Sequence, residues 1–181
     1  PYAMLRSLVG SEMCIRDSIT AETALRLAMA AGTYFSPVSD KQRPLAVIGK
    51  DTRLSGYMLE SALQAGFIAA GVNVRLLGPI PTPGVAYLTK SLRKQFGLVI
   101  SASHNDYLDN GIKIFDSNGE KLSREVEKKI EKLLNQNLDS VETSKLGKAR
   151  RFDESGDRYI EFCKGTVPDE ISFSSLRVVL D

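Results

Sequence analysis

The segment from residue 101 to residue 105, Ser-Ala-Ser-His-Asn, has the side chains best suited to chemistry, and it directly follows an apolar run. A serine next to a histidine suggests nucleophilic hydrolysis, but neighbouring residues of an extended chain point to opposite sides, which separates His104 from Ser103. The sequence also has a single histidine and no G-x-S-x-G elbow, so it disfavours a serine hydrolase. A turn in which serine and asparagine bond their own backbone is the structural alternative.

Phosphoryl transfer is the other chemistry that these residues allow. A phosphorylated serine carries a charge of about −1.5 to −2, and transfer of its phosphoryl group depends on positioning and on nearby cations. Lys113 lies ten residues after Ser103, and Arg53 lies in another loop that follows an apolar run. Either residue could supply positive charge, and either could be a surface cation. The sequence contains neither G-x-x-x-x-G-K-[ST] nor G-x-G-x-x-G, so a nucleotide-binding loop has no support.

Apolar runs that alternate with helical patterns must position these two loops. The predicted strands cover 45–49, 74–77, 96–100 and 112–115, and the predicted helices cover 20–32, 58–70, 85–93, 124–135 and 157–163. Thr20 and Ser123 are the expected caps of the first and fourth helices. Strands and helices that alternate over short connections favour right-handed crossovers and an α/β fold, here a three-layer α/β/α domain with a mostly parallel mixed sheet. Ligands of such sheets bind beyond the carboxyl ends of the strands, which points to the loops KDTRLSG (50–56) and SASHNDYLDNG (101–111).

Composition excludes several other classes of protein. The chain has 181 residues and a mass of 19.9 kDa, with 43% hydrophobic and 25% charged residues, as in an ordinary globular domain. A net charge of +2 is far below that of a dedicated nucleic-acid binder, and no apolar stretch reaches the roughly 18 residues of a membrane span. Cys14, Cys163 and one histidine are too few for a zinc cluster. We therefore expect a cytoplasmic protein with no nucleic-acid or membrane partner.

Changes in pattern along the chain predict the domain boundaries. Residues 1–18 fit neither a signal peptide nor an amphipathic helix, and we expect them to be a non-native leader. Residues 19–150 are expected to form the α/β domain. Residues 151–181 are expected to supply a linker helix and, in the apolar run 178–180, the first strand of a second, truncated domain.

Three stretches of the sequence resemble a known family. ISASHNDYLDNGIKIF (100–115) resembles the phosphoserine loop of the α-D-phosphohexomutases. IGKDTRLSGYMLESALQAGFIAAGVNVRLLGPIPTPGVAYLT (48–89) and RYIEFCK (158–164) resemble the branch of that family that acts on glucosamine phosphates. The likeness extends from about residue 19 to residue 181, and it implies the first domain of a phosphohexomutase and the start of its second domain.

The resemblance implies an isomerase that interconverts glucosamine 6-phosphate and glucosamine 1-phosphate through a phosphoserine enzyme and a bisphosphate intermediate. By that likeness Ser103 is the phosphorylated residue, and one oxygen of its phosphate is a ligand of Mg²⁺, whose other ligands belong to a further domain. His104 flanks the phosphate, and Lys113 assists proton transfer at the sugar hydroxyl. Asn105 and Arg53 are expected to bind the sugar phosphate substrate. The full-length form is a possible homo-oligomer.

Departures from the family pattern leave alternatives open. Asp106 stands where the family commonly has proline, and repulsion by the phosphoserine predicts that its carboxylate points to solvent. The Gly-Thr-Asp-Gly-x-Arg-Gly loop, the metal loop, the sugar-binding loop and the C-terminal phosphate loop of the family are absent, so the chain alone is expected to be inactive. A non-catalytic sugar-phosphate-binding or assembly module, and a phosphoglucomutase or phosphomannomutase, are the alternative functions.

Overall fold

The computed structural model describes residues 19–36, 43–93 and 96–179, together with the backbone of residues 13–15. The strands are β1 (Met13–Ile15), β2 (Leu45–Lys50), β3 (Asn73–Pro79), β4 (Phe96–Ile100), β5 (Asn110–Phe115) and β6 (Ala149–Arg151). The helices are α1 (Ala21–Phe35), α2 (Ser55–Ala69), α3 (Thr82–Ser91), α4 (Arg124–Leu134) and α5 (Ser155–Lys164), with a short 3-10 helix at Thr143–Lys145.

The six strands form one mixed sheet with the order β1-β5-β4-β2-β3-β6. The pairs β4–β2, β2–β3 and β3–β6 are parallel, whereas β5 runs antiparallel to β4 and β1 runs antiparallel to β5. The predicted mostly parallel mixed sheet is therefore confirmed. The expectation of crossovers is wrong for β4 and β5, because a loop with no helix joins them and a short connection returns the chain antiparallel.

Alternating residues of the central strands build a hydrophobic core on each face of the sheet. Ile48 and Leu98 belong to the cluster that packs against α1, α2 and α4, while Val47 and Val99 belong to the cluster that packs against α3 and α5. Successive side chains of a strand point to opposite faces, so strands covered on both sides read as continuous apolar runs. This arrangement confirms the predicted three-layer α/β/α domain.

Local signals set the ends of the helices. Thr20 Oγ1 accepts a hydrogen bond from the Thr23 amide at 3.1 Å, and Ser123 Oγ accepts one from the Val126 amide at 3.4 Å, so both predicted caps are confirmed. Helix α3 begins at Thr82, three residues earlier than predicted, with Pro83 in its first turn. Proline suits that position because the first amides of a helix have no intrahelical acceptor.

Two parts of the chain differ from the sequence-based expectation. Strand β6 and the 3-10 helix were not predicted, since three-residue elements carry no periodic signal. Val178 and Val179 lie outside regular secondary structure, and Leu180 is outside the described residues. Within the proposed leader, residues 13–15 pair with β5, and the other residues of 1–18 are outside the described residues.

Within the described ranges, none of the helices combines the length and apolarity needed to span a bilayer.

Candidate functional site

The two candidate loops begin side by side at one edge of the sheet. Lys50 and Ile100, the last residues of the parallel neighbours β2 and β4, are paired in register. The Asp51 amide donates a hydrogen bond to the Ile100 carbonyl oxygen at 3.0 Å. Parallel strands end at the same edge of a sheet, so the polar residues that follow β2 and β4 share one site, as the sequence predicts.

Ser103 lies in a tight turn with a left-handed backbone. Its φ is 55°, a value that residues with a side chain rarely adopt. The Ser103 amide donates to Ser101 Oγ at 3.1 Å, and the Asn105 amide donates to the Ala102 carbonyl oxygen at 3.1 Å. The premise that Ser103 and His104 are neighbours on an extended chain is therefore wrong, because the chain turns at Ser103. That turn carries the Ser103 side chain out of the strand direction.

Lys113 reaches the Ser103 hydroxyl from the next strand. The antiparallel register of β4 and β5 sets Lys113 opposite Val99, four residues before Ser103 in the chain. The Lys113 Nζ atom donates a hydrogen bond to Ser103 Oγ at 2.5 Å. A cation at this distance can stabilise negative charge on the serine oxygen or on a phosphoryl group attached to it.

Arg53 crosses from the β2 loop to the β4 loop. Its Nη2 atom donates to the carbonyl oxygens of Asn105 at 2.9 Å and Ser103 at 3.4 Å, and its Nη1 atom donates to the Asp51 carboxylate. The side chain is only 14% exposed. The structure thus brings Arg53 to the site that the sequence indicates. The contacts it shows there are with the loop backbone and with Asp51.

The exposed rim of the site consists of His104, Asn105 and Asp106. Asp106 Oδ1 accepts a hydrogen bond from the Leu108 amide at 3.0 Å, so the carboxylate caps its own turn at the surface. This agrees with the expected solvent orientation of Asp106. The exposed His104 and Asn105 side chains are available to a ligand that approaches the edge of the sheet.

Two supporting contacts were not predicted from the sequence. Asp51 Oδ1 accepts from the Arg53 amide at 3.1 Å, a local turn that an aspartate at the start of a loop could have indicated. Asn110 Nδ2 donates to Ser55 Oγ at 2.8 Å and so ties the end of the loop SASHNDYLDNG (101–111) to the start of α2. No local pattern predicts the second contact, because it joins residues 55 positions apart.

A metal ion would find few ligands in this part of the protein. No group of three or more His, Cys, Asp and Glu side chains comes together among residues 19–36, 43–93 and 96–179. The reachable oxygen at the centre of the site is the Ser103 hydroxyl, half-buried beside Lys113. A hard cation such as Mg²⁺ prefers several oxygen ligands, so the part of the chain that the structure describes fits one ligand rather than a complete set.

Comparison of the sequence with known proteins matches most of this chain to mutases of sugar phosphates. Residues 5–140 match the family model described as phosphoglucomutase/phosphomannomutase, alpha/beta/alpha domain I. Proteins named phosphoglucosamine mutase from Haemophilus ducreyi and Chromobacterium violaceum are 55% and 54% identical to this chain over 163 residues. Those alignments cover 90% of this chain but only 36% and 37% of the relatives, so the chain spans little more than a third of their length.

Solved structures of related proteins share the fold. A phosphoglucomutase/phosphomannomutase family protein from Burkholderia thailandensis superposes with a TM-score of 0.75 at 24% identity, over 89% of this chain and 36% of that one. The phosphoglucomutase parafusin from Paramecium superposes with a TM-score of 0.68 at 13% identity, over 90% of this chain and 35% of that one. At such low identity these likenesses support the fold alone.

Proposed function

The chain belongs to the phosphoglucomutase/phosphomannomutase family, and on that premise we propose that it is the phosphoserine-bearing domain of a phosphoglucosamine mutase. The complete enzyme interconverts glucosamine 6-phosphate and glucosamine 1-phosphate in the cytoplasm. The hexose is inferred from relatives that carry the name phosphoglucosamine mutase at 53–55% identity. The broader family description leaves glucose and mannose phosphates as the alternative substrates.

The contact between Lys113 Nζ and Ser103 Oγ is the single observation that carries this proposal. A serine used as a reversible phosphoryl carrier needs a cation at its oxygen and access from outside. Ser103 is half-buried, at the edge of the sheet where ligands of α/β folds bind. No base is needed to activate Ser103 for the first step, because the phosphoryl group is already attached to its oxygen.

The reaction begins with phosphorylated Ser103. The bond between phosphorus and Ser103 Oγ breaks, a bond forms between phosphorus and a sugar hydroxyl oxygen, and the proton of that hydroxyl passes by way of Lys113 to Ser103 Oγ. The sugar bisphosphate then turns around, and its other phosphoryl group returns to Ser103 Oγ. Lys113 stabilises the charge that develops on Ser103 Oγ, and it assists proton movement at the sugar hydroxyl that attacks or leaves.

The remaining site residues act around the Ser103 Oγ atom. His104 flanks the phosphate on the exposed side of the turn, and Asn105 offers an amide to the sugar phosphate. Mg²⁺, bound through one oxygen of the Ser103 phosphate and through ligands from the rest of the enzyme, would supply charge neutralisation for the transferred group. We expect the 181-residue chain by itself to be inactive, since the relatives are about two and a half times as long.

Mass spectrometry and one substitution test the proposal. In the full-length parent protein, purified without phosphatase, we expect a species about 80 Da heavier than the sequence mass, with the added group on Ser103. The Ser103→Ala variant should lose both that species and the interconversion of the two glucosamine phosphates. Interconversion at the parental rate by Ser103→Ala would contradict the proposal. Binding of the sugar phosphate without any turnover in the parent protein would favour a non-catalytic module instead.

A further inference from the structure

Both backbone hydrogen-bonding groups of Ser103 are bound by side chains. Its N–H donates to Ser101 Oγ at 3.1 Å, and its carbonyl oxygen accepts from Arg53 Nη2 at 3.4 Å. Arg53 Nη2 also donates to the carbonyl oxygen of Asn105 at 2.9 Å. The turn at Ser103 is thus bound on both sides by residues that belong to two different loops.

Ser103, the residue held by these hydrogen bonds, has a disfavoured backbone conformation. Among the described residues, Ser103 and Arg93 are the non-glycine residues with positive φ. Such a conformation persists only where the surroundings impose it, and it commonly does so at functional sites. At Ser103 it sets the direction of the Cα–Cβ bond and therefore the place of Oγ next to Lys113.

Arg53 is itself held in place before it reaches the loop. Its Nη1 atom donates to the Asp51 carboxylate, and the Asp51 amide is bound to the Ile100 carbonyl at the end of β4. Asp51 is therefore fixed to the central sheet. Its carboxylate holds Arg53 in the position from which Arg53 contacts the Ser103 turn. A planar guanidinium can serve a carboxylate and two carbonyl oxygens at once, which an ammonium group cannot do in the same geometry.

The hydrogen-bond donors of Arg53 leave little for a substrate. Nη2 carries two hydrogens, and two loop carbonyl oxygens accept from it. One Nη1 hydrogen is bound to Asp51, and the Nε atom is buried with no hydrogen-bond partner among the described residues. One Nη1 hydrogen remains beside the buried Nε, so a phosphate that accepted from Nη2 would have to compete with contacts already formed inside the protein.

We propose that Arg53 and Ser101 are positioning residues that impose the left-handed conformation of Ser103. They act on the reaction through the direction of Ser103 Oγ, and Arg53 does so without contact to the sugar phosphate. The functional consequence rests on the proposed phosphoserine mechanism. A phosphoryl donor displaced by about 1 Å loses much of its rate, on the order of 100-fold, although the substrate still binds.

Four variants of the full-length parent protein test this proposal: Arg53→Gln, Arg53→Lys, Ser101→Ala and the control Arg43→Gln. Arg43 is a matched control because it also donates to two backbone carbonyl oxygens, at 2.5 Å to Leu146 and 2.7 Å to Ser144. It precedes the amino end of β2, whereas the Ser103 turn lies at the edge where β2 ends. The measurements are kcat and KM for glucosamine 1-phosphate, and the ³¹P resonance of the phosphoserine.

For both Arg53 variants and for Ser101→Ala we expect kcat to fall about tenfold to 100-fold, with KM within about twofold of the parent. The phosphoserine resonance should shift or broaden in the same three variants and stay unchanged in Arg43→Gln. Ser101→Ala and Arg53→Lys are small changes that keep the test decisive if Arg53→Gln does not fold.

Three results would overturn the proposal. The first is a raised KM with parental kcat in Arg53→Gln, which would indicate direct contact with the substrate. The second is near-parental kcat in Arg53→Lys, since a charge alone would then suffice. The third is parental kcat in Ser101→Ala. The Ser103→Ala variant distinguishes loss of the positioning role from failure of the proposed function. If Ser103→Ala is inactive, the phosphoserine mechanism stands even when the positioning role is disproved.

Discussion

The Nζ atom of Lys113 lies 2.5 Å from the hydroxyl oxygen of Ser103, although ten residues separate them in the chain. The antiparallel return of β5 along β4 produces this contact, because it sets Lys113 opposite Val99 and directs its side chain toward the turn that follows β4. A parallel strand reached by a helical crossover would have needed a dozen or more residues between the two. The hairpin therefore explains how one short segment supplies both the oxygen and its cation.

Replacement of Lys113 should slow phosphoryl transfer without unfolding the domain. Lys113→Gln keeps most of the side-chain length and removes the charge, and we expect kcat of the full-length protein to fall by about 100-fold to 10,000-fold. Turnover of glucosamine 1-phosphate is the measurement. Lys129→Gln, at an exposed lysine of α4, should behave as the parent. A decrease of less than threefold for Lys113→Gln would argue against its role at Ser103.

Asp106→Pro should leave the apparent Mg²⁺ affinity unchanged. Two like charges about 6 Å apart repel by roughly 3 kcal/mol at an effective dielectric of about 20, but by less than about 1 kcal/mol in water. The Asp106 carboxylate is exposed and accepts from the Leu108 amide, so the small value applies. A Mg²⁺ titration of turnover in the full-length protein is the check. A tenfold change in the half-saturating concentration would show that the carboxylate acts on the metal.

The ion pair between Lys50 and Glu60 should be sensitive to removal of one partner. Lys50 Nζ donates to Glu60 Oε2 at 2.7 Å, with side chains 5% and 12% exposed, and it lies 3.6 Å from the centre of the Tyr57 ring. Lys50→Met leaves a buried carboxylate unpaired, which costs about 3–5 kcal/mol. We expect Lys50→Met to lower the thermal unfolding midpoint and Lys50→Met/Glu60→Leu to recover most of the loss. Equal midpoints for the single and double variants would contradict this.

Gly66 should not tolerate a side chain, because α1 and α2 approach closely there. A Cβ atom at Gly66 would lie 2.3 Å from the Leu25 carbonyl oxygen and 2.7 Å from Ala28 Cβ. Gly66→Ala must separate the helices, and overpacking of this kind costs about 1–3 kcal/mol. Gly156 in α5 is the matched control, since a Cβ there meets nothing within 4 Å. Gly156→Ala should instead raise the unfolding midpoint, as helix propensity favours alanine by up to about 1 kcal/mol.

Glu131 makes stability depend on pH. Burial raises the pKa of the Glu131 carboxyl, the charge of Glu127 adds to the rise, and Lys128 opposes it. A raised pKa in the folded state means that the stability is complete below the unfolded pKa of about 4.3 and falls as pH rises through the folded value. We expect Glu131→Gln to raise the unfolding midpoint at pH 7 and to have little effect near pH 3.5. Glu170→Gln, at an exposed position, should show neither effect.

Local and periodic features of the chain could be predicted from the sequence. The caps Thr20 and Ser123 were found because a side-chain oxygen and the amide it accepts from are three residues apart. Strand β4 was found because every one of its residues is buried, which makes an uninterrupted apolar run. The same patterns placed the loops after β2 and β4 at one edge, since parallel neighbours end together.

Contacts between residues that are not neighbours in the chain decided the remaining features of the fold and of the site. The direction of β5 depends on its pairing with β4, and the left-handed turn at Ser103 lies where Arg53 contacts the loop backbone. The contacts of Arg53 with the Ser103 and Asn105 carbonyl oxygens join residues that are 50 and 52 positions apart. Residue types and spacing show that Arg53 and Lys113 carry charge near the site, but not which oxygen each one contacts. Those contacts are chosen by the register of the packed sheet, which brings the two loops together at fixed distances, and a one-dimensional pattern contains no such distances.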